Sequence, residues 1–124
     1  MATILIIEDS RFTRSSISKV LKASGYEVLE AENGSQGLEA SLRSRPDAVI
    51  SDLLMPEMDG FELLEALRSR AISVPVIIMS ADIQDTTRSR VLELGAKILL
   101  NKPFQGPVLL EVLRDLGLGK GAVE

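Results

Sequence analysis

Histidine and cysteine are both absent from the 124 residues. Without an imidazole or a thiolate, the chain cannot form a disulfide or the usual zinc sites, and it cannot carry a Ser-His-Asp or Cys-His nucleophile. A bound metal ion would have to be a hard cation held by oxygen atoms, such as Mg²⁺, Mn²⁺ or Ca²⁺. A general base would have to be Asp, Glu, Lys or an external group.

An excess of basic residues and long apolar runs are also missing. The 14 basic and 18 acidic side chains give a net charge of −4, which offers no electrostatic reason to expect a nucleic-acid partner. No apolar run approaches the ~20 residues of a membrane span, and no basic leader of a secretory signal precedes the first apolar run. We therefore expect a cytoplasmic protein that binds neither nucleic acid nor membrane.

Short apolar runs alternate five times with longer helical patterns. The predicted strands cover residues 3–7, 26–31, 47–51, 74–79 and 96–100. The predicted helices cover residues 11–24, 35–44 and 84–94, with two more after a capping pair at Asp59 and Glu62 and from Pro107 onward. Strands separated by helices indicate an α/β fold with a parallel sheet, right-handed crossovers and helices on both faces.

The pattern also gives finer expectations. Asn33 and Gly34 are predicted to form a turn, and Leu42 is predicted to face the core from the second helix. One domain is expected over residues 1–124, with its core in residues 3–116 and a frayed tail over 117–124.

Polar side chains follow four of the five strands. After the first strand come Glu8 and Asp9, after the third Asp52, after the fourth Ser80, and after the fifth Asn101 and Lys102. Ligands of open α/β sheets bind at the carboxyl ends of the strands. Three carboxylates gathered there would repel one another unless a cation were present, and a divalent ion that prefers oxygen would remove the conflict.

Each of these residues also has a plain structural explanation when taken alone. Glu8 and Asp9 suit solvated acids that cap the first helix, and Asp52 suits a loop or capping acid. A serine after a strand and a lysine before a proline are common in turns. Asp52 is alternatively a carboxylate nucleophile of the kind that forms an aspartyl phosphate. The combination at matching strand ends favours a site.

At these residues the sequence resembles the receiver domain of two-component response regulators over about residues 3–116. Four motifs carry the resemblance in a fixed order: Ile-Ile-Glu-Asp-Ser at 6–10, Asp-Leu-Leu-Met-Pro-Glu-Met-Asp-Gly at 52–60, Met-Ser-Ala at 79–81 and Lys-Pro-Phe at 102–104. The resemblance implies a doubly wound, flavodoxin-like five-stranded sheet in the order 2-1-3-4-5.

The resemblance also implies a function. Asp52 would be the phosphoacceptor for a phosphoryl group from a sensor histidine kinase or histidine phosphotransfer protein, and Ser80 and Lys102 would contact that group. The chain would act as a single-domain regulator, monomeric or weakly dimeric, that switches a protein-binding surface. It would not be an enzyme beyond its own phosphorylation and slow dephosphorylation. The Lys102–Pro103 peptide bond is expected to be cis.

A metal site is implied as well. Asp9, Asp52 and the backbone carbonyl of Leu54 would bind Mg²⁺, with Mn²⁺ as a substitute, and Glu8 would bind the ion directly or through water. Glu8 is one methylene longer than the aspartate more common in the family.

Other positions depart from the family pattern or lie on its partner surfaces. Leu99 stands where an aromatic residue is common, and Leu54 and Asp82 hold the positions that tune dephosphorylation. An exposed apolar patch of Leu99, Val108 and Leu110 is expected on the output face. A docking surface is expected on the first helix at Arg11, Phe12 and Arg14.

Three alternatives stay open. A haloacid dehalogenase phosphatase needs an aspartate two residues after the nucleophile, where this chain has Leu54. A flavodoxin-like binding module needs a Ser/Thr/Gly-rich loop after the first strand, where Glu8 and Asp9 would repel a phosphate. A degenerate receiver that acts as an unphosphorylated interaction scaffold would lack part of the acceptor site.

Overall fold

The computed structural model describes residues 2–82 and 84–119, in which five strands alternate with five helices. The strands are β1 (Thr3–Ile7), β2 (Glu27–Ala31), β3 (Ala48–Asp52), β4 (Val76–Ser80) and β5 (Ile98–Asn101). The helices are α1 (Arg11–Ala23), α2 (Gly34–Ser44), α3 (Gly60–Ser69), α4 (Asp85–Glu93) and α5 (Gly106–Asp115). Each predicted strand and helix is therefore present, with small shifts at the ends.

The strands form one parallel sheet in the order β2-β1-β3-β4-β5, which confirms the fold class. Successive side chains of a strand point to opposite faces of the sheet, and both faces are covered. Ile4 and Ile6 belong to a core with α1 and α5, whereas Leu5 and Ile7 belong to a core with α2, α3 and α4. Burial on both faces explains why the central strands are continuous apolar runs.

Side-chain caps determine where three helices begin. Ser10 accepts a hydrogen bond from the backbone N–H of Thr13, at 3.2 Å, and begins α1. The predicted capping box of α3 is present, with Asp59 and Glu62 each accepting a hydrogen bond from the other's backbone N–H. The third cap corrects a prediction, because Asn33 caps α2 rather than forming a turn with Gly34.

Gly34 is required by a close approach between two segments. A Cβ atom at this position would lie 2.5 Å from the backbone oxygen of Met58, in the loop between β3 and α3. The start of α2 therefore packs directly on the loop that follows Asp52.

Two apolar residues lie differently from their predictions. Leu42 is 40% exposed, because Gly37, Leu38 and Ser41 fill the buried stripe of α2 and leave Leu42 at its edge. Leu99 is 3% exposed, because it points into the core beneath α4. Without Leu99, the predicted apolar patch with Val108 and Leu110 does not exist as a continuous surface.

The segment after α5 differs from the predicted frayed tail where it is described. Leu118 packs against the core that contains α1 and α5, and its carbonyl accepts a hydrogen bond from the buried Tyr26 hydroxyl. The rest of that prediction, residues 120–124, lies outside the described residues. None of the described helices has the length and apolarity needed to cross a bilayer.

Candidate functional site

The carboxyl ends of four strands bring the predicted polar residues together. Asp52 and Ser80 are the last residues of β3 and β4, while Glu8 and Lys102 immediately follow β1 and β5. The Lys102 Nζ atom lies 3.2 Å from Glu8 Oε1 and 3.4 Å from Asp52 Oδ1. Lys102 therefore bridges two carboxylates that come from different strands. The peptide bond between Lys102 and Pro103 is cis, as expected.

The three predicted acidic ligands form one cluster. Glu8, Asp9 and Asp52 each place one carboxylate oxygen within 4.8 Å of the others. Glu8 is 1% and Asp52 is 9% exposed, whereas Asp9 is exposed. Three carboxylates and the single ammonium of Lys102 leave two negative charges uncompensated. This set of oxygen donors and its excess charge fit a hard divalent cation such as Mg²⁺.

The pKa values of the two buried acids are both raised, because their charged forms are disfavoured in the cluster. Burial raises the pKa of Glu8 above its usual value, and the Asp52 carboxylate adds to the rise, although the Ser10 N–H and Lys102 oppose it. Burial likewise raises the pKa of Asp52, against the lowering effect of Lys102. Burial acts to lower the pKa of Lys102, but the two carboxylates outweigh it and the pKa is raised. The cluster thus favours added positive charge.

Backbone donors hold the two buried carboxylates in place. The N–H of Leu53 donates to Asp52 Oδ1 at 3.0 Å, and the N–H of Ser10 donates to Glu8 Oε2 at 3.0 Å. Leu54, expected to offer its carbonyl to a metal, follows in the loop after β3 with its side chain 69% exposed. No donor of the described residues contacts that carbonyl, whereas the carbonyl of Leu53 accepts from the N–H of Gly60.

Ser80 connects the site to α4. Its side chain is buried, and its hydroxyl oxygen accepts a hydrogen bond from the N–H of Asp82 at 2.9 Å. The Asp82 carboxylate accepts from the N–H of Gln84 at 3.0 Å and from the hydroxyl of Thr87 at 2.8 Å. These two donors lower the pKa of Asp82. Asp82 is therefore engaged in holding the start of α4.

Two of the three residues predicted to form a docking surface on α1 are exposed, and the third is buried. Phe12 is 82% exposed and Arg11 is exposed, but Arg14 is 8% exposed and points inward. Its Nη1 donates to the backbone carbonyl of Glu8 at 2.7 Å, and its Nε pairs with Glu30 Oε1 at 3.0 Å. Sequence reasoning missed this contact and Glu30 altogether. The signal was present, because Arg14 shares the helical spacing of the buried α1 residues Ile17, Ser18 and Leu21.

Comparisons with known proteins agree with the geometry. A family model described as the response regulator receiver domain matches residues 4–114. The response regulator MprA of Mycobacterium sp. strain KMS is 37% identical over 115 residues, which make up 91% of this chain and 49% of that protein. The MprA of Mycobacterium leprae is 38% identical over 115 residues. The chain spans about half the length of these curated relatives.

Solved structures show the same architecture. The chemotaxis protein CheY4 of Vibrio cholerae superposes with a TM-score of 0.88 at 32% identity, covering 93% of this chain and 98% of that one. The receiver domain of the Francisella response regulator 1452 superposes with a TM-score of 0.90 at 28% identity, covering 94% of this chain and 96% of that one. The likeness therefore extends over nearly the whole fold.

Proposed function

The chain belongs to the response regulator receiver domain family of two-component systems, and on this premise we propose that Asp52 accepts a phosphoryl group from a histidine of a partner protein. One observation carries the proposal: Asp52 is buried at the end of a central strand, 3.4 Å from the ammonium of Lys102 and within the cluster of Glu8 and Asp9. A carboxylate so placed combines a nucleophile with the positive charge that a transferring phosphoryl group needs.

The reaction balances with residues of this chain and a histidine from the partner. A carboxylate oxygen of Asp52 attacks the phosphorus atom in line with the bond to the partner's imidazole nitrogen. The phosphorus–oxygen bond forms as the phosphorus–nitrogen bond breaks, and the electron pair stays on the imidazole, which takes a proton from solvent. Lys102 then exchanges its contacts with carboxylates for contacts with phosphoryl oxygens. Because these 124 residues contain no histidine, the phosphoryl donor has to lie outside them.

Mg²⁺, or Mn²⁺ in its place, would be held by Asp9, Asp52 and the carbonyl of Leu54, with Glu8 directly or through water. When bound, the ion supplies neutralisation of charge on the phosphoryl oxygens. Glu8 and Asp52 are kept in position for this role by the N–H groups of Ser10 and Leu53. Phosphorylation would convert the Asp52 carboxylate, which repels that of Glu8, into an acyl phosphate. The contacts of Lys102 with these two side chains would change as a result.

Phosphorylation would be transmitted through Ser80. A new phosphoryl group on Asp52 offers an acceptor to the Ser80 O–H, and drawing the hydroxyl toward it would break the hydrogen bond that the Ser80 oxygen accepts from the N–H of Asp82. The loop after β4 and the start of α4 then lose one connection. Since Leu99 is a buried aliphatic residue, this switch runs through the loop and α4 without an aromatic ring at that position.

The partner surface would centre on Phe12. Phe12 lines a cavity of about 450 Å³ together with Ile17, Val20, Lys102, Pro103 and Phe104. An exposed aromatic beside an apolar groove suits a helix of the phosphodonor, which would bring its histidine to the strand ends. Arg11 would supply an adjacent positive charge for that helix.

The same proposal covers the organisation of the protein. Residues 3–116 would be the working receiver core, acting in the cytoplasm on a downstream protein target. Catalysis would be limited to its own phosphorylation and dephosphorylation. A scaffold that works without phosphorylation is the competing function, and the experiment below separates the two.

The test uses a small phosphodonor. Purified protein is incubated with acetyl phosphate, with and without Mg²⁺, and its intact mass is measured. We expect one labile phosphoryl group on the wild type with Mg²⁺ and none on Asp52→Asn, while the exposed-site control Asp85→Asn remains phosphorylated. Absence of modification would favour the scaffold, and equal modification of Asp52→Asn would show that the acceptor is a residue other than Asp52.

A further inference from the structure

Arg14 occupies a buried position that an apolar side chain would fill at lower cost. It shares the inner face of α1 with Ile17, Ser18 and Leu21 and is 8% exposed. Moving a guanidinium out of water is costly unless it is well paired, and apolar replacement of buried ion pairs is often neutral or stabilising. Packing of α1 alone therefore gives no reason for an arginine here.

The contacts of Arg14 lead to the acidic cluster. Its Nη1 donates to the carbonyl oxygen of Glu8 at 2.7 Å, and that carbonyl belongs to the peptide unit that joins Glu8 to Asp9. From the other side, the N–H of Glu8 donates to the carbonyl of Ala31 at 3.1 Å. The backbone of Glu8 is thus fixed by two directional hydrogen bonds. At Glu8 the guanidinium contacts the backbone carbonyl and not the side-chain carboxylate, so Arg14 does not compete with a metal ion for the carboxylate oxygens of the cluster.

Glu30 holds the guanidinium in this orientation. Glu30 lies on β2, which is the neighbour of β1 in the sheet, and its Oε1 is 3.0 Å from Arg14 Nε. A planar guanidinium can satisfy two acceptors in different directions at once, whereas a lysine ammonium on a flexible stem does so poorly. The arrangement of β2, α1 and the loop after β1 is therefore satisfied better by arginine than by lysine.

We propose that Arg14 is a positioning residue for the metal site, which fixes the Glu8–Asp9 peptide so that both carboxylates face Asp52. The role rests on the proposed function, because it presupposes that the cluster binds a divalent cation. Asp9 is exposed, so its position is set mainly by its backbone. Groups that orient metal ligands change metal affinity by roughly 10- to 100-fold when removed.

The experiment titrates Mn²⁺ into the full chain and follows free Mn²⁺ by electron paramagnetic resonance. The variants are Arg14→Met, Arg14→Lys and Glu30→Gln, and the control is Arg43→Met, which removes an exposed ion pair on α2. We expect Arg14→Met to weaken Mn²⁺ binding roughly 10-fold, Arg14→Lys to restore part of the loss, and the control to match the wild type. Glu30→Gln keeps an acceptor for Nε and should stay close to wild-type affinity.

Urea unfolding without metal separates positioning from a structural role. If Arg14 only stabilises the fold, Arg14→Met loses stability but binds Mn²⁺ as tightly as the wild type once folded, and the proposal is overturned. If Arg14→Met does not fold, wild-type affinity in Arg14→Lys overturns it equally. If the wild type itself binds no Mn²⁺, the metal site of the proposed function fails together with the inference.

Discussion

Replacing Asp52 by asparagine should make the metal-free protein more stable. The substitution keeps the size of the side chain and removes one of three clustered negative charges. Asp52 is buried beside Glu8 and Asp9, so its ionised form is penalised by desolvation and by repulsion. The role proposed for Asp52 is chemical and not structural, and removing its charge should therefore raise the free energy of unfolding.

The magnitude follows from the distances. At an effective dielectric constant of about 20, charges 4.8 Å apart, the upper limit within the cluster, repel by about 3.5 kcal/mol. Asp52 has two such neighbours, whereas Lys102 at 3.4 Å attracts it by about 5 kcal/mol on the same scale. The repulsion exceeds the attraction by about 2 kcal/mol, and solvent screening at the exposed Asp9 reduces the difference. We expect Asp52→Asn to gain about 1–2 kcal/mol.

The gain should depend on pH. The native pKa values of Asp52 and Glu8 are raised above their usual 3.8 and 4.5. Groups with raised native pKa values favour folding most below the unfolded pKa, and this contribution is lost as the pH rises through the native pKa. The advantage of Asp52→Asn should therefore be small near pH 4 and reach its full size at neutral pH.

The assay is urea denaturation followed by far-UV circular dichroism, without divalent metal, at several pH values from about 4 to 7.5. The control is Glu65→Gln, which removes one exposed acid of α3 and should stay within about 0.5 kcal/mol of the wild type. Mg²⁺ should narrow the gap, because it stabilises the native wild type by binding. The reasoning is refuted if Asp52→Asn is less stable than the wild type at pH 7.5, or if the difference does not change with pH.

Three further predictions concern other parts of the structure. Gly34→Ala should lower the free energy of unfolding by about 1–3 kcal/mol in thermal or urea unfolding, because the added Cβ meets the backbone oxygen of Met58 at 2.5 Å; unchanged stability would contradict this close approach. Asp82→Ala should reduce the hydrogen-exchange protection of α4 while leaving that of the central strands intact, because the contacts to Gln84 and Thr87 are lost; wild-type protection would show that these two contacts do not hold α4. Phe12→Ser should slow phosphorylation by a histidine phosphodonor protein at least several-fold but leave the rate with acetyl phosphate unchanged; equal slowing with both donors would argue against a docking role.

Much of the fold could be predicted from the sequence, because the patterns that define it are local. Five apolar runs separated by helical periodicity are enough to indicate an alternating parallel sheet, and the caps at Asp59 and Glu62 mark a helix start within a few residues. The exposure of individual apolar side chains is harder to predict from the sequence. Leu42 and Leu99 were misplaced because burial depends on which neighbours cover a position.

The candidate site likewise contains residues that the sequence predicts and one that it does not. Glu8, Asp52, Ser80 and Lys102 were predicted to meet, because each follows a strand of one parallel sheet and strand ends converge. The role of Arg14 was not predicted, since its partners come from β2 and from a backbone carbonyl. A carbonyl acceptor leaves no trace in the residue types, although helical spacing does place Arg14 on the buried face of α1.

Locating the phosphoryl group on the chain tests directly whether Asp52 is the acceptor. After reaction with acetyl phosphate and Mg²⁺, borohydride reduction converts an acyl phosphate of aspartate into homoserine, which peptide mass spectrometry can assign to one position. We expect homoserine at position 52 and at no other aspartate, dependent on Mg²⁺ and lost when Lys102 is replaced by alanine. Reduction at Asp9 or Asp59, or phosphate recovered on a hydroxyl side chain such as Ser80, would contradict it.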